Sequence, residues 1–212
     1  MHIHLPHLPH GPRPERTTDL LLRLVAEEGS PRLTINDLIA GLGDRAFGLM
    51  ILLFALPNCV PAPPGIGSLL GLPIFLFSIQ LMRGKHRPWL PRAIGGRSFS
   101  RSDIRRVIVR AAPVTRWFEA ICKPRLRFMT EGVILRLVGF LIFLLSALII
   151  LPFPGTNWLP GVTIAILSIG LIERDGLIVL GSSLAGLAAF WLSGTFFYVG
   201  LKWALGKLGE FF

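Results

Sequence analysis

"LPFPGTNWLPG" occupies residues 151–161, inside one of the most apolar stretches of the chain. It holds three prolines, two glycines and an asparagine. Proline removes a backbone donor and breaks a helix, and glycine loosens one. The flanking runs, 133–150 and 162–172, both read as membrane helix. Breakers in such a place have two readings. They are turns in solvent between ordinary crossings. Alternatively, they interrupt helices inside the bilayer, where freed backbone must be buried in protein or line a wet cavity.

The composition outside this stretch favours a membrane protein throughout. Of 212 residues, 52% are hydrophobic and only 16% charged, against about 25% charged in an ordinary soluble domain. Apolar runs recur at 47–82, 133–172 and 176–205. A bilayer core about 30 Å thick needs about 20 apolar residues per helical crossing. The chain is expected to be an all-α polytopic membrane protein. The first 40 residues show no apolar block followed by a cleavage site, so no signal peptide is expected. Cys59 and Cys122 lie in unrelated contexts and form no metal-like CxxC pair.

The net charge is +10, and 14 of the 22 Lys and Arg fall between Arg83 and Arg136. Basic residues concentrated in a loop mark the cytoplasmic side. The N-terminus and this loop are therefore expected to be cytoplasmic, with the loop also suited to anionic lipid headgroups. The segment has no nucleic-acid recognition motif and no interleaved aromatic platform, so no nucleic-acid partner is expected.

Five regions follow from the pattern. Residues 1–15 form a His- and Pro-rich tail, "MHIHLPHLPHGPRPE", read as disordered. No Cys, Asp or Glu stands among its histidines at 2, 4, 7 and 10 within residues 1–14, and no metal or other cofactor is assigned. Residues 16–85 hold an amphipathic surface helix, a second one with capping-box spacing from Thr34 to Asp37, and an apolar hairpin broken at "LPNCVPAPPGIG" (56–67). Residues 86–119 are a basic cytoplasmic linker with an amphipathic helix, and 120–175 carry the second broken hairpin. Residues 176–212 are a C-terminal transmembrane helix with an amphipathic tail. Gly181, Ala185 and Ala189 recur there every four residues, suiting either packing within the chain or a homodimer seam.

The two hairpins read as internal repeats. "RAFGLMILLFALPN" from Arg45 and "RLVGFLIFLLSALIILPFPG" from Arg136 both begin Arg-x-x-Gly and break at Leu-Pro. Ser78-Ile79-x-Leu81 matches Ser168-Ile169-x-Leu171, and upstream Pro31-Arg32-Leu33 matches Pro124-Arg125-Leu126. The arms of the first hairpin, roughly 15 residues each, fall short of the roughly 20 of a full span. They suit a re-entrant hairpin as well as a pair of crossings. Repeated, discontinuous helices are the sequence pointer to a transport site near the midplane.

The candidate substrate-binding residues are Asn58, Gly65, Ser68, Thr156 and Asn157 at the breaks, with Arg45 and Arg136 as cations able to attract an anionic head. Helix N-termini after the breaks offer free N–H groups to an anion. The bland reading makes the arginines interface anchors and the asparagines turn residues. No Ser-His-Asp set, paired carboxylates or HExxH occurs in the apolar blocks, and no catalytic residue is assigned. No carboxylate lies between Ala46 and Met82 or between Gly132 and Ile172, which counts against a buried acidic proton relay. Glu173 and Asp175, flanking Arg174, read as an interfacial ion cluster.

Over roughly residues 17–205 the chain resembles the ExoD family of bacterial membrane proteins. The resemblance rests on "LTINDLIAGLGDRAFGLMILLFALPNCVPAPPGIGSLLGLPIFLFSIQLMRG" and "LPFPGTNWLPGVTIAILSIGLIERDG". It implies a bacterial inner-membrane location and a link to exopolysaccharide synthesis and alkaline tolerance, with no catalytic residues to carry over. A transporter of an anionic substrate or a polyprenyl phosphate carrier suits these features, as does an ion or proton antiporter. A non-transporting accessory protein of a polysaccharide-synthesis complex is the other class.

Overall fold

The structure, a computed structural model, describes residues 17–26, 32–60, 66–91, 95–122, 126–151 and 157–209. The His-rich tail, Gly65, Pro124-Arg125 and Thr156 lie outside the described residues. Among the described residues the chain is helical apart from turns, short connecting loops and one short ribbon. Helix α1 spans Thr17–Ala26, strand β1 Arg32–Thr34, α2 Ile35–Leu42 and α3 Arg45–Ala55. A 3-10 turn at Leu56–Cys59 extends α3 before α4, Ile66–Met82. Strand β2 (Ser98–Ser100) leads into α5 (Arg101–Ile121), and a 3-10 turn at Arg127–Thr130 precedes α6 (Gly132–Ile150). Helices α7 (Trp158–Glu173) and α8 (Gly176–Gly209) complete the order.

Local chemistry sets these boundaries. Thr34 caps α2 in a reciprocal box: its hydroxyl accepts from the Asp37 N–H, and the Asp37 carboxylate accepts from the Thr34 N–H. Arg174 takes a left-handed conformation that ends α7, and the Asp175 N–H returns to the Gly170 carbonyl at 2.9 Å. At the expected ion cluster, 173–175, Asp175 is buried and caps α8, accepting from Leu177 N at 3.0 Å and Ile178 N at 3.4 Å. Arg174 pairs with Asp44, just before α3, at 3.0 Å.

The hairpins α3–α4 and α6–α7 pack crosswise: α3 lies against α7, and α4 against α6. Gly48 of α3 sits against Ser168 and Ile172, and Gly71 of α4 against Ile149 and Ile150. The shared core includes Ile51, Ile74, Ile142, Leu145, Ile164 and Leu167, all fully buried. Both hairpins point the same way. Their tips gather at one end of the bundle. Their bases gather at the other, where Arg174 meets Asp44 and the Arg136 guanidinium lies over Gly84. Helix α8 starts at the base and runs along α7 and α6, with Gly186 against Leu141, Leu145 and Thr163.

Among the described residues, two helices, Gly132–Ile150 and the Gly176–Trp203 part of α8, are long and apolar enough to cross a membrane. Arg45–Cys59, Gly67–Met82 and Trp158–Glu173 are apolar but shorter. An unexpected element ties the linker to the first segment. β1 and β2 pair antiparallel with Leu33 opposite Phe99, so residues read as linker fold back onto the first segment. Leu126, matched to Leu33 by sequence, is left-handed, whereas Leu33 is in a strand.

Candidate functional site

The first break is shaped by side chains as well as by Pro57. Asn58 is only 3% exposed. Its Nδ2 donates to the Phe54 carbonyl at 2.9 Å, and Cys59 Sγ donates to the Ala55 carbonyl at 3.4 Å. Both carbonyls belong to the last turn of α3, where helical N–H partners run out.

Asn58 Oδ1 points toward Gly67 in the first turn of α4. A Cβ on Gly67 would sit 3.1 Å from it and would collide with Asn157 Nδ2, which arrives from the second break. Two asparagines from separate breaks therefore meet over one glycine. Gly161, in the first turn of α7, presses on the backbone of Asn58; a Cβ there would lie 2.6 Å from the Asn58 carbonyl oxygen. Asn157 is the N-cap residue of α7, and its carbonyl accepts from Gly161 N at 3.0 Å. Ser68 follows Gly67, and its Oγ is buried with no hydrogen-bond partner among the described residues.

The described tip groups are neutral: two amides, a hydroxyl and the starts of α4 and α7. Helix starts carry a partial positive charge and unpaired N–H groups. Such a set can hydrogen-bond oxygen-rich or anionic groups without a formal charge. Of the seven candidate residues, Asn58 and Asn157 come together over Gly67, the residue before Ser68. Gly65 and Thr156 are outside the described residues. Arg45 and Arg136 are not at the tips. Arg45 opens α3, and Arg136, exposed in the first half of α6, covers the turn after α4. As each arginine starts an arm whose far end carries the break, an arm's length separates it from the asparagines.

Gly161 is not among the sequence candidates. Its signal was present in "WLPGV": a glycine one turn after a break, where a neighbouring backbone approaches closely. The base holds a second group of polar residues. Asp44 pairs with Arg174 and lies 3.6 Å from His86 Nδ1. Cys122 is buried nearby, and burial first, then the charges of Glu173 and Asp175, push its thiol up from 9.0 to about 11.

The family description "Exopolysaccharide synthesis, ExoD" matches residues 17–195. Protein ExoD of Rhizobium meliloti is 31% identical over 169 residues, covering 77% of this chain and 70% of that protein. The uncharacterized protein slr1875 of Synechocystis sp. is 31% identical over 154 residues, covering 72% of this chain and 73% of that one. No solved structure matches. The apolar helices agree with a membrane protein, and the match spans both hairpins and most of α8: the chain belongs to the ExoD family, linked to exopolysaccharide synthesis.

Proposed function

We propose that the chain is a transporter-like protein of the bacterial inner membrane serving exopolysaccharide synthesis, with its site at the joined hairpin tips. The observation that carries this reading is the meeting of Asn58 and Asn157 over Gly67. An amide withdrawn from water requires partners, and ordinary solvent turns have no need of two from separate breaks. The hairpins act as copies of one unit. The reciprocal packing of α3 on α7 and α4 on α6 supports this. In this reading the tips are re-entrant, and the substrate is an anion or the head of a polyprenyl phosphate carrier, held by amide, hydroxyl and helix N–H donors. An ion or proton antiport remains within the same class.

The placement of Arg45 and Arg136 at the base favours a second reading. With the nominated cations away from the tips, the chain serves as a non-transporting accessory protein, presenting its charged base to a synthesis complex. Liposomes containing the full chain separate the two. Flux of an anion, a labelled polyprenyl phosphate or protons is expected, and is lost in Asn58→Ala and Asn157→Ala although both insert normally. Wild-type complementation of a deletion strain by both variants at matched expression would reject the tip site and leave the accessory reading.

A further inference from the structure

Helix α5 carries a basic outer surface that the tip site does not use. Both of its ends are fixed at the base of the bundle. At its start, β2 pairs with β1, which leads directly into α2, and Ile39 and Leu42 of α2 pack on Ala46 of α3. Arg101 donates to the Leu24 and Val25 carbonyls at 3.1 and 3.0 Å, closing the end of α1. Beyond its last turn, Cys122 is buried within electrostatic range of Glu173 and Asp175, at the junction of α7 and α8. A helix of 21 residues is about 31 Å long, so α5 runs across the base and cannot follow the arms toward the tips.

The surface of α5 is mixed in a particular way. Ile104 and Ile108 share the inner side, with Ile108 buried. Arg105, Arg106 and Arg110 are exposed, and Val107 and Val109 are 66% and 56% exposed. Asp103 pairs with Arg106 and offsets one of these charges. Guanidiniums alternating with bare β-branched hydrocarbon suit a boundary that is both anionic and apolar, where stems lie in hydrocarbon and charged heads reach phosphate. The candidate spans α6 and α8 both begin at this end, so a headgroup layer lies at the level of α5.

We propose that the exposed Arg105–Arg110 surface of α5 is a binding site for anionic phospholipid headgroups of the leaflet at the base. It engages them through Arg105, Arg106 and Arg110, with Val107 and Val109 against the upper acyl region. Each basic side chain near an anionic surface changes binding by about fivefold. Loss of all three outweighs the offset from Asp103.

The test uses the full-length protein in detergent, offered equimolar phosphatidylglycerol and phosphatidylcholine with identical acyl chains, and counts retained lipid by native mass spectrometry. Phosphatidylglycerol should be preferred. The preference should fall at least tenfold in the triple variant R105Q, R106Q, R110Q, and persist in the triple lysine variant and in Lys202→Gln. Raising salt to about 0.5 M should weaken the wild-type preference by screening. Val107→Ser with Val109→Ser should reduce retention of both lipids while keeping the preference. Gel-filtration elution and helical circular dichroism check folding; should the glutamine variant misfold, the salt and lysine arms decide alone. An unchanged preference in a folded glutamine variant, or no response to salt, would overturn the proposal. So would salt-sensitive binding of a short RNA or an acidic polypeptide in place of phosphatidylglycerol.

Discussion

Gly67 and Gly161 differ in what an added methyl group would strike. At Gly161 it meets the carbonyl of Asn58, which cannot retreat without moving the whole 3-10 turn. Gly161→Ala is expected to destabilise the protein by about 1–3 kcal/mol, read as a lower unfolding midpoint in detergent. At Gly67 the methyl meets the ends of two side chains, which can rotate away. Gly67→Ala should therefore keep most of the stability while displacing the asparagine amides and lowering flux. Equal midpoints for Gly161→Ala and wild type would mean that the break does not press on α7. A second residue-scale expectation concerns Cys122. Its thiol is held protonated up to about pH 11 in the fold, against 9.0 ordinarily. Its contribution to stability is thus complete below pH 9.0 and lost as pH rises toward 11. Cys122→Ser should flatten that alkaline fall, and alkylation of the native thiol should stay slow until the same range. The sequence singled out Asn58 and Asn157 because each follows a Leu-Pro break. Their meeting was not legible, since it depends on crosswise packing of hairpins whose arms carry no pairing code.

Among the elements, α2 is the one whose cap is fully visible in both sequence and structure. Thr34-x-x-Asp37 predicts a capping box, and both of its hydrogen bonds are present. Thr34→Ala should cost about 1 kcal/mol. The hydroxyl and backbone N–H of Thr34 hold the Asp37 carboxyl below its usual 3.8. Its contribution is therefore present above that value and fades as pH falls through the lower folded one, a dependence that Asp37→Asn should remove. The β1–β2 ribbon was illegible for a physical reason: three residues are too few to show period-two patterning. The partner strand also lies within a stretch whose charge reads as linker. For α5, the charge count alone argued against crossing the membrane. An impermeant maleimide added to intact cells should not label Arg110→Cys. Strong labelling from outside would place the base on the other face.

On the scale of the whole molecule, the arms are unequal. Sixteen residues of α7 and 17 of α4 extend about 24–26 Å, and the 28-residue apolar span of α8 about 42 Å. Tyr198, Val199, Leu201 and Trp203 are all exposed on the far part of α8. If α8 spans interface to interface, the tips stop short of the far surface. Lys202→Cys should then react quickly with an impermeant reagent added from the tip side, and Val60→Cys, at the first break, several times more slowly. Equal rates would end the re-entrant reading. The apolar blocks and their breaks were legible because proline and hydropathy are local properties. Relative depth was not, because it depends on how far one helix outlasts its neighbours. On the re-entrant reading proposed above, that difference in reach makes the protein a gauge of bilayer thickness. A hydrocarbon layer matched to the hairpins leaves the end of α8 overhanging, and one matched to α8 must thin around the tips, each at a fraction of a kcal/mol per Å. Flux measured across vesicles of graded acyl-chain length is therefore expected to peak at one intermediate thickness and decline on both sides.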